Sequence, residues 1–331
     1  MNQRLLGHDG LETSDLGLGC MGFSQGYGPA DDAESVRAIQ RSIELGVTLL
    51  DTAMSYGQGH NEELVGRVLA EHRDSAERLT IATKLGIVRG DDGVYLDGRP
   101  DHVAGYCDAS LARLGVEVID LYYLHRVDPE VPIAETVSAM AELVVEGKVR
   151  HLGVCEVTPD QLREAAGTHP ISALQLEWSL LWREPEDDII PVARQLGVGI
   201  VPYSPLGRGL LTGTLTHGQA IDSSDFRQSD PRFHGDDLAV NLAQIETLRA
   251  IASDLGITAG QLALAWLLAQ GPDVVPIPGS RHADRVAENA AAAAVTLSEA
   301  DVQRVDMAVP RSGWSGDRRS FAVPGTARAS A

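Results

Sequence analysis

Apolar residues along this chain follow two rhythms. Short, nearly continuous apolar runs end abruptly in polar residues, and between them apolar positions recur at helical spacing. Continuous runs of this kind predict strands buried on both faces, and the three-to-four spacing predicts amphipathic helices. Strands are expected within 16–23 and over 47–51, 79–84, 118–124, 149–154, 173–176, 198–201 and 274–277. Helices are expected over 31–45, 61–70, 101–114, 133–146, 159–166, 188–196, 238–255, 258–269, 282–293 and 298–307. Gly46 and Gly115 stop two of them, and Pro159 opens another. Residues 4–13 suggest a small hairpin, 204–235 a long Gly-rich loop, and the chain past Pro310 an irregular tail.

Eight strand segments, each followed by helix, imply a parallel sheet covered by helices. Over this length they favour a closed α/β architecture, the (β/α)8 TIM barrel, as one domain over 1–331 with a core of about 4–310. A doubly wound open sheet is the alternative. Gly17, Gly19 and Gly22 do match the G-x-G-x-x-G of a dinucleotide-binding turn. That motif requires a helix opening at its glycines, so that pyrophosphate meets the helix N-terminus. Here Phe23 to Pro29 follow as loop, and helical spacing starts only near Asp31, which rejects the fingerprint and favours the barrel over the open sheet.

Composition narrows the function. The 331 residues carry a net charge of −20, which argues against binding a nucleic-acid backbone. Cys20, Cys107 and Cys155 form no disulfide framework and suggest a reducing compartment. No leader-like or membrane-spanning run is present, so a cytoplasmic protein without membrane association is expected.

Candidate chemistry lies at three successive strand ends. Asp51 ends one strand, with Tyr56 five residues on; Lys84 ends the next, and His125 follows the one after. In a barrel these ends face one opening. A phenol has a pKa near ~10, and an ammonium beside it stabilises the phenolate. A carboxylate holds the ammonium, and an imidazole can orient a carbonyl oxygen. Such a set suits carbonyl reduction if hydride is supplied. Each residue alone has a blander reading, as turn cap, loop aromatic, surface charge or core histidine. The other histidines form no ligand spacing with these residues, so no metal is expected.

The strings Asp51-Thr52-Ala53-x-x-Tyr56, Thr83-Lys84 and Asp120-Leu121-Tyr122-Tyr123-Leu124-His125 resemble the motifs of the aldo-keto reductase superfamily. Gly153-Val154-Cys155, Gln175 to Leu180, Tyr203 to Gly209 and Ile277-Pro278-Gly279-Ser280 continue the resemblance in order, over about 4–307. It implies a (β/α)8 barrel that binds NADPH/NADP+ across the strand ends and reduces a small-molecule carbonyl substrate. Tyr56 would donate the proton, Lys84 and Asp51 tune it, and His125 orient substrate. Gln175 would meet the nicotinamide amide and Tyr203 its ring. Ser204, Leu206, Gly207, Arg208, Gly209 and Leu211 would cradle the pyrophosphate. Ser280, Arg281 and Arg285 would meet the 2′-phosphate, Glu288 and Asn289 the adenine, with Gly22, Phe23, Asp51 and Gly279 as further contacts. Many members have Ser-Asn after the fifth strand; Cys155-Glu156 stand there in this chain, and their contact with the carboxamide is altered accordingly. Substrate choice falls to the loops 24–30, 89–99 and 212–235. A regulatory reading, a nucleotide-sensing subunit of the potassium-channel β type, shares the same motifs.

Overall fold

The computed structural model describes residues 1–72, 78–90, 93–215 and 221–318. The chain opens with an antiparallel hairpin, β1 (Gln3–Leu6) and β2 (Leu11–Ser14). Seven parallel strands follow: β3 (Leu18–Gly19), β4 (Leu49–Asp51), β5 (Thr80–Leu85), β8 (Ile119–Leu124), β9 (Val149–Cys155), β10 (Ala173–Glu177) and β11 (Gly199–Tyr203). They lie side by side in that order. A second antiparallel hairpin, β6 (Ile87–Gly90) and β7 (Gly93–Leu96), interrupts the alternation after β5, where a loop was expected.

The eighth strand expected over 274–277 is present only as an extended segment. It accepts from the Ile200 amide at Asp273 O (2.8 Å) and donates Val275 N to Ile200 O and Ile277 N to Pro202 O (2.8 and 3.0 Å). On its other side Gly17 N donates to Pro276 O and Gly19 N to Pro278 O (3.0 and 3.3 Å). The ring is therefore closed. Pro276 and Pro278 have no N–H to give, so a regular ladder cannot form.

Around the ring stand α1 (Asp32–Glu44), α2 (His60–Glu71), α3 (Pro100–Leu114), α4 (Ile133–Val145), α5 (Pro159–Thr168), α6 (Ile189–Gln195), α7 (Gly235–Asp254), α8 (Ala259–Leu268), α9 (Ala283–Ala291) and α10 (Glu299–Ala308). Their starts follow from local chemistry. Asp31 accepts from Glu34 N (2.8 Å), and Thr158–Gln161 and Thr258–Gln261 form reciprocal capping boxes before α5 and α8. No single helix among the described residues is long and apolar enough to cross a membrane.

Two apolar layers hold the fold. The outer one lies between strands and helices and includes Leu50, Val65, Leu124, Leu152 and Trp266. The inner one fills the barrel with Leu49, Ala82, Leu121, Tyr123, Cys155, Ala173, Val201, Val275 and Ile277. Leu6 and Leu11 of the first hairpin join this inner cluster and plug the end opposite the strand C-termini.

Candidate active site

Side chains alternate along a strand. With Leu49, Ala82, Ala173 and Val201 facing the barrel interior, Asp51, Lys84, Gln175 and Tyr203 face it one step nearer the C-terminal rim. Register brings three strand ends together: Asp51 pairs with Ala82, Lys84 with Tyr123, and His125 follows β8 directly. Asp51, Tyr56, Lys84 and His125 are all buried.

Lys84 Nζ donates to the Asp51 carboxylate, to Thr52 O (2.7 Å) and to the Tyr56 hydroxyl (3.5 Å). Gln175 Nε2 donates to the second Asp51 oxygen (2.7 Å). The Tyr56 and His125 rings meet edge to face, centroids 5.7 Å apart. Burial works to strip the Lys84 charge, but Asp51 and Tyr56 outweigh it and hold the ammonium charged. Burial also pushes the Tyr56 phenol up to about 12, against the pull of Lys84. The sequence reading had the ammonium bring the phenol down. It does pull that way, but its charge is shared with Asp51, and full burial costs the phenolate more. His125 is driven well below its ordinary value by burial and then by Arg126, Lys84 and Arg89. It is therefore a neutral imidazole near pH 7.

A cleft of about 360 Å³ starts at Tyr56 and His125 and runs past Tyr203 to Arg285 and Asn289. Of the residues expected to hold a cofactor, it is lined by Gly22, Asp51, Gln175, Tyr203, Ser204, Leu206, Arg208, Gly209, Gly279, Ser280, Arg281, Arg285, Glu288 and Asn289. Lys84 sits behind Tyr56 and does not reach it.

Five expected contacts do not line this cleft. Phe23 is packed into the outer core. Gly207 and Leu211 lie on the buried face of the tight turn 207–212, whose other face carries Arg208 and Gly209. Cys155 belongs to the inner core below the cleft. Glu156, in a left-handed backbone conformation (φ 54°), turns its carboxylate away. It accepts from Glu177 N (2.8 Å) and from the Arg318 guanidinium. Arg281 lines the cleft, but its guanidinium is spent on backbone carbonyls of Tyr27 (2.9 Å), Gly28 (3.4 Å) and Pro29. Arg285 makes no hydrogen bond or ion pair among the described residues.

Met21, Ser55 and Arg126 on the cleft wall carried no expectation of their own, while Gln25, Tyr27, Arg89 and Arg227, also on it, fall within the loops 24–30, 89–99 and 212–235 expected to choose substrate. Tyr27 and Phe226 stack edge to face (4.9 Å), and Phe226 N donates to Gly26 O (2.9 Å), so two loops join over the cleft. Their meeting depends on contacts between distant loops, which no local motif announces. Arg126 had a local signal, its place directly after His125.

Arg318 is the other surprise, since the tail was expected to be irregular. It is buried against Trp182 and bonded to Glu156, with Glu177 3.8 Å away. Glu177 also meets Arg232 (3.0 Å) and Arg208 (3.4 Å), while Asp230 meets both of these arginines. Burial would raise the Glu177 carboxyl, yet Arg232, Arg208 and Arg318 hold it down to about 2. Residues 319–331 of the expected tail lie outside the described residues. Among the described residues, no three His, Cys, Asp or Glu side chains group as metal ligands would.

Barrel and sequence together define the class. The chain belongs to the aldo/keto reductase family, whose profile matches residues 15–310, and the family is one of oxidoreductases. It is 44% identical over 315 residues to a probable aldo-keto reductase 1 of Glycine max, covering 95% of this chain and 90% of that one. The fold superposes on a glycerol dehydrogenase from Gluconobacter oxydans with a TM-score of 0.86, at 31% identity over 96% of this chain and 98% of that one. An aldo-keto reductase from Bacillus halodurans, in its holo form, gives 0.77 at 30% identity over 94% and 97%.

Proposed function

We propose that the protein reduces an aldehyde or ketone to an alcohol with NADPH, Tyr56 acting as general acid. The observation that carries this is the chain of contacts from Asp51 through Lys84 to the Tyr56 hydroxyl, ending at a cleft that His125 also faces. NADPH, when bound, supplies the hydride. The residues present fit an extended dinucleotide: Tyr203 offers a flat ring, the 204–209 turn offers close backbone, and Arg285, without a hydrogen bond or ion pair among the described residues, stands at the far end.

The phenol, at about 12, stays protonated through the neutral range and is ready to give its proton to the carbonyl oxygen. The ammonium of Lys84 then steadies the phenolate, while Asp51 and Thr52 O keep Lys84 in place. Neutral His125 can donate a hydrogen bond to the same oxygen and orient it. The relatives described above carry enzyme names, which favours this reading over the regulatory one.

The test is Tyr56→Phe. General acids contribute roughly 10²–10⁴-fold, so NADPH oxidation with an aldehyde panel should fall by about that factor. NADPH affinity, read by protein fluorescence, should change little. Near wild-type turnover in Tyr56→Phe would sink the assignment.

A further inference from the structure

Among the described residues, buried arginines are paired with a carboxylate within 4 Å, with one exception. Arg208, Arg232 and Arg318 each hold a carboxylate within 4 Å. Arg126, with 7% of its surface exposed, has no carboxylate within that distance among the described residues; the Glu156 carboxylate, already bonded to Arg318, acts on it only from farther off. Its Nη1 donates to the carbonyl of its neighbour His125 (2.6 Å), and its Nε has no partner among the described residues. A buried charge without a partner is costly, so an unpaired one facing a cavity points to a ligand. Arg89, on β6, is half-buried on the same wall. Its Nε is likewise enclosed without a partner among the described residues. Both guanidiniums are near enough to act on the His125 imidazole.

We propose that Arg89 and Arg126 form an anion subsite beside Tyr56 and His125, and that the substrate is a carbonyl compound carrying a carboxylate. This rests on the reductase reading above. In that reading the cofactor phosphates are met by the 204–209 turn and Arg285, which leaves the two arginines at the reacting end for substrate. A carboxylate matches the planar fork of a guanidinium and would give Arg126 the direct partner it lacks among the described residues. A solvated surface role would leave the Arg89 Nε in water, not enclosed against the cleft.

The test compares 4-carboxybenzaldehyde with its methyl ester, which differ in charge at one distal group. Wild type should favour the acid by roughly tenfold or more in kcat/KM, mainly through KM. Arg89→Met should erase most of that preference, Arg89→Lys should keep part of it, and added salt should weaken it in wild type. An acid-to-ester ratio equal in wild type and Arg89→Met overturns the subsite. Calorimetry of terephthalate with the NADP+ complex separates the two readings. If neither aldehyde turns over, but terephthalate binds wild type and is lost in Arg89→Met, the reductase reading fails and the anion subsite stands. Absence of terephthalate binding to wild type overturns the subsite.

Discussion

At Tyr56 and His125, burial decides the protonation state and nearby charges only adjust it. The phenol sits at about 12 because water is excluded, in spite of Lys84. The imidazole is neutral because burial and three cations all oppose its charging. The signs give a pH dependence. A depressed histidine takes its proton only well below its ordinary ~6.5, so no acid limb should appear there in kcat/KM for reduction. A raised phenol keeps its proton until high pH, so reduction should persist into the alkaline range. Oxidation of the alcohol needs the phenolate and should rise with pH over the same range. An inflection near pH ~6.5 that vanishes in His125→Gln would show a titrating imidazole and refute this assignment.

Among the elements, the tail is the one whose role changes most between sequence and structure. Residues beyond Pro310 have the composition of a loose end, yet Arg318 completes the charge of two buried carboxylates at the ends of β9 and β10. Removing one partner of a buried ion pair costs roughly 3–5 kcal/mol, so Arg318→Met should lower the unfolding free energy read from denaturant titration by that order. The acid side should move too. A depressed carboxylate stabilises the fold above its unfolded pKa near ~4.3 and loses that contribution as pH falls towards its folded value. Glu156, whose carboxyl burial would raise but Arg318 does most to hold below its ordinary value, should therefore protect wild type to lower pH than the variant, and identical acid midpoints would refute the link. The same contrast shows what was legible beforehand. Strand ends could be read because buried apolar runs stop where Asp51, Lys84 and His125 begin. The partners of Glu156 and Arg281 could not, because Arg318 and the 27–29 carbonyls reach them from far along the chain. Pro276 was visible in the sequence, and its cost to the eighth strand follows from its missing N–H.

For the molecule as a whole, a net charge of −20 would repel a phosphorylated cofactor, but salt screens charges beyond about 10 Å. In the reductase reading proposed above, local arginines decide, and Arg281 and Arg285 would divide the work. Arg285 stands unpaired among the described residues, while Arg281 ties down 27–29. Charge-assisted hydrogen bonds contribute roughly 1.5–3 kcal/mol, so Arg285→Ala should weaken NADPH by about tenfold or more and leave NADH nearly unchanged. Arg281→Ala should weaken both cofactors, through the loop. Equal losses of NADPH and NADH in Arg285→Ala would refute the division. The proline-bearing segment that closes the ring has a consequence of its own. Its amides and those of Gly17 and Gly19 join β3 to β11, so they should trade their protons with solvent sooner than those between β8 and β9. Because Gly279 to Arg285 continue directly from this seam onto the cleft, anything filling the cleft ties the two lips together. The barrel should thus breathe along one known line, and cofactor binding should slow that breathing.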